Sequence, residues 1–70
     1  MVYEIWNLPT RNLIATFATE QEAVAAIRKM AERHGIGYLT HLALTRENED
    51  GRTTQLAVGV ELMRYWPQYA

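Results

Sequence analysis

Two histidines, His34 and His41, with an acid from Glu32 or Glu47, are the residues from which a metal site would have to be assembled. The histidines stand seven apart (41 minus 34), across a helix end and a glycine loop, and this matches no ligand spacing with a geometric rationale. The simpler reading has His34 facing the last carbonyls of a helix and its dipole, with His41 as one side chain of a strand. Covalent catalysis has still less material. Serine and cysteine are absent, Lys29 is the sole lysine, and no threonine has a base at a recognisable spacing. The expectation is a protein that is not an enzyme and carries no cofactor. Glu47-Asn48-Glu49-Asp50-Gly51 offers oxygen atoms to a calcium ion, yet it lacks the alternating ligands and distant bidentate glutamate of an EF-hand loop. A solvated hairpin tip accounts for it.

Arginines 46, 52 and 64, with Tyr38, Tyr65 and Trp66, would make a basic, aromatic nucleic-acid surface if the fold gathered them. Glu47, Glu49 and Asp50 lie between Arg46 and Arg52 and oppose a phosphate. The net charge of −1 and pI near 6.1 provide no general attraction to a phosphate backbone. Nucleic acid is therefore disfavoured, and charges pairing across a hairpin are expected instead. Tyr65-Trp66-Pro67-Gln68-Tyr69 is the most suggestive stretch. Aromatic side chains there either dock on their own domain or second copy, or anchor in a different protein, since Tyr and Trp contribute disproportionately to interfaces.

Any such surface has to be positioned by one helix, Thr19 to His34, closed by Gly35. Thr19 and Glu22 form a capping box, Glu20 and Glu22 face the positive end of the dipole, and Arg28, Lys29 and Arg33 load the other half. Ala23, Val24, Ile27, Met30, Ala31 and His34 share one side of the helical wheel, opposite Gln21, Arg28, Lys29 and Glu32. Gly35 suits a positive-φ helix ending, with Ile36 packing back on Ala31.

The rest of the chain reads as strands. Val2 to Leu8 is rich in residues that favour a strand; its alternation puts Tyr3, Ile5 and Asn7 on one side and Val2, Glu4, Trp6 and Leu8 on the other. A turn at Pro9 to Asn12 leads to a second strand, Leu13 to Phe17, with Leu13, Ala15 and Phe17 facing one way and Ile14 and Thr16 the other. A loop at Gly35 to Gly37 precedes a third strand around His41 to Arg46. Asp50-Gly51 marks a turn, and Thr53 to Val58 returns as the fourth strand. From Val60 to Tyr65, Val60 and Met63 follow a helical spacing with Trp66, and the expectation is a short helix ended before Pro67.

The sum is an α+β fold of order ββαββ: a four-stranded antiparallel sheet with one main helix on one face and a short C-terminal helix. Seventy residues make one domain, 1–70, near the lower size limit for independent folding. With no cysteine, no disulfide assists it. No apolar run approaches the ~20 residues of a membrane span, and Met1-Val2-Tyr3-Glu4 lacks the features of a secretion signal. The expectation is a cytoplasmic protein without a membrane partner.

Tyr3-Glu4-Ile5-Trp6, Asn12-Leu13-Ile14-Ala15, Thr19-Glu20-x-Glu22-Ala23, His34-Gly35, Leu42-Ala43-Leu44 and Asp50-Gly51-Arg52 together resemble a group of short bacterial proteins with no assigned activity. The resemblance spans nearly the whole chain. It implies a self-contained bacterial domain and adds nothing to mechanism; the aromatic end, Arg64 to Ala70, departs from the group's pattern.

One helix covers only part of one face of a four-stranded sheet, which leaves apolar groups to be shielded. Exposed apolar faces are unusual on a monomer, and two-fold self-association is the commonest remedy. The expected function is a small protein-interaction or accessory module that forms a homodimer, with Trp6, Leu8, Ile14, Tyr65, Trp66 and Tyr69 as candidate interface residues. A regulatory, antitoxin-like nucleic-acid-associated protein is the first alternative. The second is a sensor that holds a small ligand between helix and sheet near Trp6 and Tyr38.

Overall fold

The computed structural model describes residues 1–65. Its elements are β1 (Val2–Asn7), β2 (Asn12–Phe17), α1 (Glu20–His34), a 3₁₀ helix (Ile36–His41), β3 (Leu42–Glu47), β4 (Thr53–Val58) and a second 3₁₀ helix (Gly59–Tyr65). The strands form one antiparallel sheet in the order β2-β1-β3-β4. The ββαββ plan read from the sequence is the plan of the molecule. The order adds that β1 and β3 are central, so the two hairpins lie side by side.

Helix α1 starts where its chemistry requires. The Glu22 amide donates to the Thr19 hydroxyl oxygen at 3.2 Å, the first half of a capping box, and the Glu22 carboxylate reaches back to accept from that same hydroxyl at 3.0 Å. Ala23, Val24, Ile27 and Ala31 are buried. At the other end the Gly35 amide donates to the Ala31 carbonyl at 2.8 Å. Gly35 has φ 90° and ψ 158°, a positive-φ but extended geometry. It sends the chain into the first 3₁₀ helix instead of a loop, and Ile36 is left 48% exposed rather than packed back. Met30 packs at the margin of the core and His34 is exposed.

The core lies on one side of the sheet only. Ile5, Leu42, Leu44 and Ala57 from the strands meet Ala23, Val24, Ile27 and Ala31 from α1, with Leu39 and Leu62 from the two 3₁₀ helices, in a single buried cluster. Helix α1 lies over β1 and β2, while the second 3₁₀ helix closes β3 and β4. That segment corrects the helical-spacing expectation: Leu62 is its buried residue, whereas Val60 and Met63 are exposed. The turn enters through Gly59 at φ 62° and winds at three residues per turn, so that Val60 and Met63 eclipse each other on its outer side while Leu62 and Tyr65 share the inner one.

The hairpin tip between β3 and β4 closes through the Asn48 amide on the Arg52 carbonyl at 2.7 Å and the Gly51 amide on the Asn48 carbonyl at 2.9 Å. Gly51 takes φ 86°, the left-handed step that an Asp-Gly turn is suited to provide. Among the described residues no helix is long and apolar enough to cross a membrane.

Candidate functional site: the outer face of the sheet

Strand alternation gives the sheet a second face, turned away from the core. Register fixes its composition row by row. Leu13, Trp6, Ala43 and Val58 are opposite one another in succession across β2, β1, β3 and β4, forming one apolar row that crosses the whole sheet. The next row is Thr16, Glu4, Thr45 and Gln55, all polar, and beyond it Val2, Glu47 and Thr53 follow.

Leu13 belongs to this face because of a bulge. The β1–β2 register shifts between Ile5 and Trp6, so Ala15 opposes Ile5 and Leu13 opposes Trp6, with Ile14 left over. Strict alternation had assigned Leu13 to the side of Ala15 and Phe17. The extra residue inverts it, and Leu13 is 45% exposed. A second bulge shifts β3–β4 between Leu44 and Thr45 and leaves Leu56 over. A sequence contains little that marks such insertions when, as here, neither carries a glycine.

Trp6 is half-buried and held in place. Its indole N–H donates to the Thr45 hydroxyl oxygen at 3.0 Å, and that hydroxyl donates to Glu4 Oε1 at 3.3 Å. The one polar atom of the indole is thus satisfied within the chain, and what the ring offers outward is hydrocarbon. Ala43 and Thr45 are buried between their larger neighbours. Of the other predicted interface residues, Leu8 follows Trp6 just beyond the end of β1 and is 38% exposed, and Ile14 is 40% exposed in its bulge. Tyr65 instead packs against the core from the second 3₁₀ helix. Trp66 and Tyr69 lie outside the described residues.

The remaining constellations are scattered. Arg46 donates to Asn48 Oδ1 at 3.1 Å and opposes Thr54, while Arg52 sits 3.7 Å from Asp50 with both side chains largely exposed. They are not cross-strand partners. Arg64 donates to the Leu56 carbonyl and stands over the Tyr65 ring. His34, Tyr38 and His41 form a short ladder of rings, with centroids 4.6 and 5.9 Å apart. No group of three acidic, histidine or cysteine side chains among the described residues is placed to hold a metal ion. Trp6 and Tyr38 do not share a pocket: Tyr38 packs against the core, and Trp6 projects from the opposite face.

No family model, curated protein or solved structure matches the chain.

Proposed function

We propose that this chain is a non-enzymatic protein-interaction module that works as a homodimer, with the outer sheet face of one copy closed by that of another. The observation that carries the reading is the apolar row Leu13-Trp6-Ala43-Val58, which crosses a face that no described element covers, α1 and both 3₁₀ helices being packed on the other side. Six residues per strand and four strands make a face of roughly 20 by 19 Å. Two copies would enclose roughly 800 Å² in plan, and side-chain relief raises the buried area toward the ~1,200 Å² of the smallest specific interfaces. That size suits a dimer that forms and dissociates with concentration.

Edge-to-edge strand pairing, the other common route to self-association, is opposed by both edges. β2 and β4 each carry a bulge, which twists an edge away from a flat partner. On β4 the second 3₁₀ helix also engages edge-strand groups: Glu61 Oε1 accepts from the Val58 amide at 3.1 Å, and Arg64 donates to the Leu56 carbonyl. Sedimentation velocity over a concentration series tests the reading. A reversible monomer–dimer equilibrium is expected, and a single species of monomer mass up to about 100 μM, where even weak specific pairing is populated, overturns it.

A further inference from the structure

We infer that the partner is a second copy seated with the two-fold axis running along the apolar row, across the strands, so that Leu13, Trp6, Ala43 and Val58 each face their own counterparts. The inference rests on the homodimer reading and specifies its geometry. Two orientations stack the apolar row on itself: an axis across the strands and an axis parallel to them. Their difference lies in the acids. The parallel axis also stacks the Thr16-Glu4-Thr45-Gln55 row on its copy in reversed order, so that Glu4 faces the partner's Thr45 and Glu47 the partner's Val2, and it gathers all four of these carboxylates at one end of the interface, where they lose water as close neighbours of like charge.

The transverse axis sends those rows in opposite directions. Glu4 sits one row from the axis, about 6.6 Å along the strand, and Glu47 two rows away, at about 13 Å. Each acidic end then lies over the end of the other copy that carries Leu8 and the β1–β2 turn with Arg11, where the Glu61 carboxylate is already engaged by the Val58 amide. The Trp6 indole fits this arrangement because its N–H is turned along its own sheet to Thr45 and asks nothing of the partner. A ring pair on the axis meets only apolar surface.

The absence of cysteine makes the geometry directly readable. Single variants Leu13→Cys, Val58→Cys and Thr53→Cys of the full chain are treated with a short-armed bismaleimide, with sedimentation run in parallel. Across a sheet pair about 10 Å apart, Leu13 and Val58 lie next to their own copies, whereas Thr53 is about 25 Å or more from its copy. The transverse axis predicts that Leu13→Cys and Val58→Cys each link to themselves, that mixing the two gives no mixed product, and that Thr53→Cys does not link. A mixed Leu13–Val58 product without self-linking, or self-linking of Thr53→Cys, shows a different axis and overturns the inference while the homodimer stands. Dimers by sedimentation with no linking at any position overturn it too, by placing the contact off this face. Monomers throughout remove the homodimer reading itself.

Discussion

The two faces of the sheet are built from the same strands by opposite rules. On the inner face Ile5, Leu42, Leu44 and Ala57 are sealed by side chains from three separate helical segments, and the cluster they form is continuous. On the outer face the apolar groups are concentrated in one row, with Val2 and Leu8 toward the two ends, and a polar row with its own hydrogen-bond chain, Trp6 to Thr45 to Glu4, runs beside it. The inner face therefore holds the monomer together, while the outer face is the one we propose a second copy attaches to and leaves. A purely structural outer face would have polar residues scattered along it. A second core would have no carboxylate in its centre.

The sharpest way to break this contrast is to truncate one residue on each face. Ile27→Ala leaves a cavity in the inner cluster and is expected to cost about 3 kcal/mol, a large share of the roughly 4–10 kcal/mol available to a domain of this length. Denaturant unfolding monitored by circular dichroism should show a midpoint moved far down, with about 1–7 kcal/mol of stability remaining. Leu13→Glu, on the exposed row, should leave the unfolding midpoint of the dilute monomer nearly unchanged and weaken the dimer by about 2 kcal/mol or more, the range of interface anchors. Sedimentation of the same sample checks it. If Leu13→Glu lowers the unfolding midpoint as far as Ile27→Ala does, the division of labour between the faces is wrong.

Smaller effects refine the comparison. Thr45→Val removes the acceptor of the Trp6 N–H and the donor to Glu4 on one nearly isosteric side chain. The expected cost to folding is about 1 kcal/mol, with a looser dimer because the indole is no longer oriented. Thr19→Ala removes the helix cap and should cost about 1 kcal/mol of stability with no change in dimerisation beyond that of the fold. Asp50→Asn, in the exposed pair with Arg52, should change stability by less than about 1 kcal/mol and self-association not at all.

Much of the inner face was legible in the residues. The Thr19–Glu22 box, the 3.6-residue spacing of Val24, Ile27 and Ala31, and the Asp50-Gly51 turn are local signals, and each determines its element without help from the rest of the chain. The outer face was legible only in part. Trp6 is placed on it by the alternation of β1, but Leu13 arrives there through a bulge set by how two strands twist together, and Val58 and Ala43 join the row only once β1 and β3 are neighbours. Those are tertiary facts. The second 3₁₀ helix shows the same limit at short range: Val60 and Met63 do share a face, as their spacing implies, but the face with Leu62 is the one turned to the core, and spacing alone does not tell the two apart.

The most direct test is sedimentation velocity of the unmodified chain and of Leu13→Glu, each from about 1 to 100 μM, a range that spans weak specific dimers. The unmodified chain should pass from one chain mass to two as concentration rises, while Leu13→Glu stays at one with its circular dichroism unchanged. An unmodified chain that sediments at one chain mass throughout, or a Leu13→Glu variant that dimerises equally well, contradicts the account.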